Sequence, residues 1–162
     1  MEGEFIVFWI VCIIVIVVVL LALSKRPQPN PSKEVWPYYA KKVLSAPEQV
    51  LYFRLVQALP DHIVLAQVQL SRFLGVKKGQ PYQTWLNRIH QMSADFVICQ
   101  KDARVFAVIE LDDASHLKPA RMAADAKKDR ALRAAEIPIF RWPVNAIPEV
   151  QTLRNTLING TE

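Results

Sequence analysis

The stretch DFVICQKDARVFAVIEL, residues 95–111, contains two apolar runs separated by the five-residue link QKDAR. The runs DFVIC (95–99) and VFAVIEL (105–111) are rich in Val, Ile and Phe, and each has the length of an ordinary β-strand. Because the link is short and mostly polar, an antiparallel hairpin is the economical way to join the two strands. The rest of the fold can be placed outward from this predicted hairpin.

Helices and strands are predicted on both sides of the hairpin. Ser45 as a cap, Pro47 in the first turn and Glu48 at the positive end predict a helix over 46–58. The other predicted elements are a strand over 62–70, a Gly/Lys-rich turn and a short helix (82–89) within 71–93, a helix over 120–136, a strand over 137–141 and a helix over 147–157. The order αβββαβ predicts an α/β or α+β sandwich around one mixed sheet.

A long apolar run lies at the N-terminus. Residues 5–23, FIVFWIVCIIVIVVVLLAL, contain no charge, Gly or Pro. A helix of this length spans about 28 Å, close to the hydrocarbon thickness of a bilayer. A cleaved signal peptide is the alternative, but it is disfavoured because the chain starts with MEGE rather than a basic segment and because the run is long. The sequence predicts a single-pass membrane anchor over residues 1–24.

The charges that flank the run predict its orientation. Glu2 and Glu4 precede it, whereas Lys25 and Arg26 follow it directly. The positive-inside rule then places the C-terminal part of the chain in the cytoplasm.

A proline-rich segment follows the anchor. Residues 25–37 hold four of the 11 prolines of the chain, so residues 25–43 are predicted to form an extended tether. The remainder, residues 44–162, is long enough for one compact domain.

The part of the chain after the anchor is basic. The chain has 20 Lys and Arg against 15 Asp and Glu, and two of those acids are Glu2 and Glu4, so residues 25–162 have a formal charge of +7. This balance suits nucleic acid or anionic membrane headgroups as partners, and an ordinary basic surface is the alternative. Cys12 and Cys99 lie in separate apolar segments, so neither a disulfide framework nor a zinc site is expected.

Acidic residues concentrate at the ends of the predicted hairpin strands. Asp95 opens one strand and Glu110 closes the other, with Asp112, Asp113 and His116 just beyond. Because the start of one antiparallel strand lies beside the end of the next, we expect Asp95 and Glu110 together at one edge of the sheet. Two carboxylates about 4 Å apart repel by roughly 1 to 4 kcal/mol, so they need a proton, a basic neighbour or a cation. Hard oxygen ligands favour Mg²⁺ or Mn²⁺ over zinc.

The helix predicted over 120–136 adds polar groups on one face, while Lys127 is expected on a different side. Glu48 is a further candidate, because it stands beside apolar residues near a helix start. For each residue there is a structural alternative: turn and cap chemistry, salt bridges on a solvated helix, or an acid at a helix N-terminus. The predicted face consists of Arg121, Asp125, Lys128 and Asp129.

The pattern resembles a bacterial family named as domain of unknown function 2726, and more widely the PD-(D/E)XK nuclease superfamily. The resemblance covers about residues 44–142 and implies a restriction-endonuclease-like αβββαβ core with a mixed central sheet, behind the transmembrane helix. The segments that carry it are SAPEQVLYFRLVQAL (45–59), VLAQVQL (64–70), DFVIC (95–99), VIELDDASH (108–116) and AADAKKDRALRAAEIPIFR (123–141). The acidic turn and the His after the third strand are also similar to very-short-patch repair endonucleases.

This resemblance implies a metal-assisted phosphodiesterase that acts on DNA or RNA at the bacterial inner membrane. Asp95 and Glu110 would hold Mg²⁺ or Mn²⁺, with the Leu111 carbonyl as a third ligand. The candidates for catalytic roles are Asp112, which would bind metal or orient water, His116 as general acid or base, Lys128 (or secondarily Lys127) for developing charge, and Glu48.

The chain departs from the superfamily pattern at one important position. The Lys expected two residues after Glu110 is replaced by Asp112. Either a Lys of the next helix takes its place, or the protein is a non-catalytic module that binds nucleic acid or protein near the membrane; an inert assembly domain is a third interpretation. Glu136 replaces the usual Gly of the family before Ile137, which alters a helix C-cap.

Overall fold

The computed structural model describes residues 2–24, 35–113 and 119–160 of the chain. These residues belong to two compact units, Met1–Ala40 and Lys41–Glu162. Residues 25–34 of the predicted tether lie outside the described residues, and residues 35–42 have no regular secondary structure.

The described residues of the first unit include one helix, α1, which runs from Glu2 to Ser24. Its segment Glu2–Ala22 has 21 residues with a mean hydropathy of 3.6, so it is long and apolar enough to cross a membrane. The large apolar side chains from Phe5 to Leu21 are exposed, because no other part of the protein covers them within the described residues. The predicted N-terminal apolar helix is therefore confirmed as a helix, whereas its insertion in a membrane and its orientation there stay predictions.

The second unit is a mixed α/β domain. The predicted order αβββαβ is confirmed, and so are the short helix predicted before the second strand and the helix predicted at the end. The elements are α2 (Ala46–Ala58), β1 (Ile63–Gln69), α3 (Tyr82–Leu86), β2 (Ser93–Cys99), β3 (Val105–Asp112), α4 (Pro119–Ala134), β4 (Ile139–Pro143) and α5 (Val150–Asn159), with short 3-10 turns at Leu70–Arg72 and Val144–Ala146.

The four strands form one sheet in the order β1-β2-β3-β4. β2 pairs antiparallel with both β1 and β3, which confirms the predicted hairpin. β4 pairs parallel with β3. A parallel neighbour needs a crossover connection, and α4 lies in that connection. The sheet is thus mixed, as predicted.

Strand alternation sends neighbouring side chains into two separate core clusters. Phe96 and Ile98 pack with residues of α2 and α5. Val97, between them, packs in a cluster that includes Leu132 of α4. Because successive strand side chains point to opposite faces, α4 and the pair α2/α5 lie on opposite faces of the sheet.

Some predicted boundaries are wrong by two or three residues. β4 begins at Ile139 rather than 137, because the backbone of Ile137 completes the C-terminal hydrogen bonds of α4. α5 begins at Val150 rather than 147, because Ile147 precedes a proline and has extended backbone angles. The short helix predicted over 82–89 ends at Leu86 and continues as turns.

Candidate functional site

The hairpin brings Asp95 and Glu110 together. The register of β2 and β3 pairs Val97 with Val108 and Phe96 with Ile109, and its continuation places Asp95 opposite Glu110. The Leu111 amide donates a 2.9 Å hydrogen bond to Asp95 Oδ2. Both acids line one cavity of about 490 Å³. The predicted meeting of the two acids is confirmed, and their role as metal ligands stays a prediction.

Both carboxyl groups lie in surroundings that disfavour their charged forms. Burial raises the pKa of Glu110, and the nearby charge of Asp95 adds to this rise, while Lys128 opposes it. Burial also raises the pKa of Asp95, against the lowering effects of the Leu111 amide and of Lys128. Acids with raised pKa values that share a cavity are candidates for a functional site.

Lys128 compensates the buried charge of Glu110. Its Nζ donates to Glu110 Oε2 at 2.6 Å, and the two side chains are only 11% and 5% exposed. Glu110 Oε1 is also buried, and it has no hydrogen-bond partner within the described ranges. Lys127 is exposed, so Lys128 is the lysine that reaches the site.

The predicted polar face of α4 turns toward this cavity. Arg121, Asp125 and Lys128 all line it, which confirms the helical spacing. Asp129, one residue beyond Lys128, instead accepts a 2.6 Å hydrogen bond from Arg141. Arg141 is the register partner of Glu110 in β4, and its positive charge, like that of Lys128, lowers the pKa of Glu110.

Glu48 also lines the cavity, at the start of α2. Its Oε2 accepts hydrogen bonds of 2.6 Å from both the amide and the hydroxyl of Ser45, which is the geometry of a helix-capping acid. Its Oε1 accepts a 2.8 Å hydrogen bond from Gln67 Nε2. The structural alternative is therefore observed for Glu48, while a catalytic role stays a prediction.

Gln67 reaches Glu48 because of an irregularity in β1. The pairing of β1 with β2 passes from Ala66 to Val68, and Gln67 between them has a φ of +53°. A non-glycine residue rarely adopts a positive φ, and such irregularities re-aim side chains next to functional sites. The alternating pattern of 62–70 does not distinguish Gln67 from an ordinary strand residue, so sequence reasoning misses it.

At the end of β3, Asp113 rather than Asp112 lines the cavity. Asp112 is half-buried opposite Pro143 of β4, and it is not part of the cavity lining of the described residues. Asp113 lines the cavity, with an oxygen 3.5 Å from the Arg121 guanidinium. His116 lies outside the described residues. The proposed catalytic roles of Asp112 and His116 stay predictions.

Asp95 and Glu110 suit a hard divalent cation. Within the described ranges no group of three or more His, Cys, Asp or Glu is close enough to hold a metal ion. Mg²⁺ usually binds proteins through one or two carboxylates and takes its other ligands from water and substrate phosphates. Two carboxylates on an open cavity, one with an unpartnered buried oxygen, fit that requirement.

Comparison with known proteins places this architecture in a family. Residues 40–160 match the family described as protein of unknown function (DUF2726). The chain belongs to this family. The matched DUF2726 range includes every residue that lines the cavity, from Ser45 to Val144. No curated protein and no solved structure matches the chain.

Proposed function

We propose that this DUF2726 protein is a membrane-anchored, metal-dependent phosphodiesterase that hydrolyses nucleic acid. The observation that carries the proposal is the convergence of Asp95, Glu110 and Lys128 at one open cavity at the end of the β2–β3 hairpin. The likeness to the PD-(D/E)XK superfamily supports it. Both have the order αβββαβ, with an Asp at the start of the second strand and a Glu near the end of the third.

In this proposal Asp95 and Glu110 would hold Mg²⁺ or Mn²⁺ through their carboxylate oxygens. A cation bound there would polarise a phosphoryl oxygen and lower the pKa of a bound water. Hydrolysis of a phosphodiester adds a water molecule to phosphorus, breaks the bond to the leaving oxygen, which takes up a proton, and leaves a phosphomonoester and a hydroxyl. The positive charges of Lys128 and Arg121 would hold the anionic substrate.

Lys128 takes the place of the lysine that Asp112 replaces in the superfamily pattern. Its Nζ already lies 2.6 Å from Glu110 Oε2, so it reaches the site from α4 instead of β3. A cation at this point stabilises negative charge that develops on the phosphoryl group. Arg121, at the rim of the same cavity, supplies a second positive group for a phosphate.

The decisive experiment measures cleavage by the full-length protein in detergent micelles. Single-stranded and duplex DNA and RNA are incubated with Mg²⁺ or Mn²⁺, and the products are resolved by size. Glu110→Gln should lower the cleavage rate by at least about a hundredfold. Mutation of a residue that only hydrogen-bonds to a metal ligand typically costs about 10- to 100-fold, and loss of the ligand itself should cost more. Glu136→Gln, an exposed acid outside the cavity, is the matched control. Cleavage at an undiminished rate by the Glu110→Gln protein would contradict the site assignment.

A specific observation favours a second function, a non-catalytic module that binds nucleic acid or protein at the membrane. Lys128 forms a 2.6 Å ion pair with Glu110, and Asp112 stands where the superfamily has its lysine. In that case the protein binds nucleic acid with strong salt dependence but shows no turnover with either cation. Measured turnover that depends on Glu110 excludes this alternative.

A further inference from the structure

The segment that joins β1 to β2 carries charge of one sign only. Residues 70–92 contain four basic residues and no Asp or Glu. The four are Arg72, Lys77, Lys78 and Arg88. In the rest of the domain basic and acidic residues are interspersed, so this segment is a local concentration of positive charge.

Both ends of the segment are fixed to the sheet by apolar side chains. Leu70 and Leu74 are buried at its start, and Ile89 and Met92 pack against the same core cluster at its end. Phe73 also packs there, so one of its three aromatic residues is used in the core. The other two, Tyr82 and Trp85, belong to neither core cluster.

Those two aromatic residues form an exposed row with an arginine. Tyr82 and Trp85 are 60% and 42% exposed. Tyr82, Trp85 and Arg88 follow one another at intervals of three, and the Arg88 amide donates a 3.1 Å hydrogen bond to the Trp85 carbonyl. Tyr82 and Trp85 lie three apart in the short helix α3 and therefore share one side of it, and the turn closed by the Arg88 amide continues this alignment. The Arg88 guanidinium carbon lies 4.3 Å from the centre of a Trp85 ring.

The segment leaves and re-enters the sheet beside the acidic cavity. Gln69, the last residue of β1, pairs with Ser93, the first residue of β2. Ser93 lines the cavity, and Asp95 follows two residues later. The side-chain amide of Gln69 donates to the carbonyl oxygen of His90, which ties the end of the segment to the same point.

We propose that residues 70–92 form a binding surface for single-stranded nucleic acid, which they deliver to the cavity of Asp95 and Glu110; this rests on the proposed function. Unpaired bases stack on Tyr82 and Trp85, because every base offers a π-face and a duplex does not expose it. Phosphates contact Arg88 and the other basic side chains of the segment. Because the segment contains no Asp or Glu, none of its own side chains repels them.

An anionic membrane surface is the other partner that Trp, Tyr, Lys and Arg attract. The position of the segment favours nucleic acid, since its ends lie beside the cavity that we propose binds a phosphodiester. Binding to a lipid surface would not explain why the segment lies beside this cavity. Binding to lipid is therefore an outcome that the experiment must distinguish.

The test uses the full-length protein in nanodiscs of zwitterionic lipid, with a chelator present so that no metal-dependent cleavage occurs. Anisotropy of a labelled oligonucleotide reports affinity. We expect the single strand to bind more tightly than the duplex of the same sequence. Trp85→Ala should weaken single-strand binding about tenfold, the usual effect of losing one stacked base. Phe53→Ala, which removes an exposed aromatic ring from α2, should leave it unchanged.

The salt dependence tests the charges separately. If all four basic residues contact phosphates, the logarithm of the association constant falls with the logarithm of salt concentration with a slope of about −3. Arg88→Gln should make that slope shallower by about 0.7. Arg130→Gln, at an exposed position of α4, is the matched control.

Three results overturn the inference: equal single-strand affinity of the wild type and Trp85→Ala, binding of duplex at least as tight as single strand, or an effect of Trp85→Ala only on binding to anionic lipid. The proposed hydrolase has a different readout. Single-strand binding that depends on Trp85 but no cleavage with any divalent cation refutes the hydrolase alone. If cleavage depends on Glu110 but the affinity for single strand does not depend on Trp85, this inference alone is refuted.

Discussion

Glu110 and Lys128 form an ion pair in a place where neither charge can be solvated well. Their side chains are 5% and 11% exposed, and their charged atoms are 2.6 Å apart. Removing two charges from water costs several kcal/mol each, and close attraction only roughly offsets that cost. Such a pair contributes little net stability. The loss of one partner, however, leaves a buried charge without compensation.

Lys128→Met should therefore destabilise the protein by about 3 kcal/mol, because the Glu110 carboxylate then remains buried alone or must take up a proton. Lys127→Met removes the same charge at an exposed neighbouring position and should change the free energy of unfolding by less than about 0.5 kcal/mol. Urea unfolding of the full-length protein in detergent, followed by circular dichroism, compares the two. Equal effects would show that the pair is not buried as described.

Asp95 is predicted to reduce stability at neutral pH. Because burial raises its pKa in the folded state, the folded protein holds this proton more tightly than the unfolded chain. The free energy of unfolding then falls as pH rises from the ordinary carboxyl pKa through the raised one. Asp95→Asn keeps an acceptor for the Leu111 amide and removes this cost. It should stabilise the protein at neutral pH, and the gain should vanish in acid.

The measurement is urea unfolding across pH with a chelator present. Asp61→Asn is the matched control. The hydrogen bond from Lys101 lowers the pKa of Asp61, so removal of this carboxylate should slightly destabilise the protein at neutral pH instead of stabilising it. This exposed pair contributes little, so its effect should be small. A gain for Asp95→Asn that persists in acid would show that desolvation of the carboxylate is not its cause.

At the level of elements, the end of α4 shows a local conflict between residue and backbone. The Ile137 amide donates to the Leu132 carbonyl at 3.0 Å, and the Glu136 amide donates to the Arg133 carbonyl at 3.1 Å. These two bonds are those of a Schellman motif, which ends a helix with one residue in the left-handed region. That residue is Glu136, with a φ of +58°. The position at which the family resemblance leads us to expect Gly is thus one where Gly is physically preferred.

Glu136→Gly should raise the free energy of unfolding by about 1 kcal/mol, because Gly adopts a positive φ without the steric cost of a Cβ atom. Glu136→Ala is the control, since it removes the same charge but retains the Cβ and should give no such gain. Urea unfolding of the three proteins decides the matter. A similar gain for Ala and Gly would assign the effect to charge instead of backbone strain.

At the scale of the whole molecule, the flanks of α1 predict that residues after the span lie in the cytoplasm. Protease added outside bacterial spheroplasts should leave the C-terminal domain intact, and the same protease should digest it once the membrane is broken. A charge-swapped protein with Glu2→Lys, Glu4→Lys, Lys25→Glu and Arg26→Glu should show the reverse protection. Digestion of the unaltered domain in intact spheroplasts would contradict the predicted orientation.

Local patterns were sufficient for most elements of this fold. The capping residues around Ser45 predict α2 with its observed bounds, and the two apolar runs around the QKDAR link predict the hairpin. The boundaries of β4 and α5 were wrong, because a helix-ending motif and a proline act through backbone geometry that composition describes poorly. In the site, antiparallel pairing was enough to predict that Asp95 and Glu110 meet. Nothing in the local pattern predicts Gln67, whose position depends on a break in strand pairing.

By itself the sequence determined the apolar N-terminal helix, the order of strands and helices, the family, and the pairing of two acids across a hairpin. These follow from properties of single segments: the length of an apolar run, helical or strand periodicity, and the register of neighbouring strands. Only the tertiary structure decided that Lys128 and not Lys127 reaches Glu110, and that Asp113 rather than Asp112 lines the cavity. Adjacent residues differ in this way because burial depends on which face of an element packs against the rest of the domain.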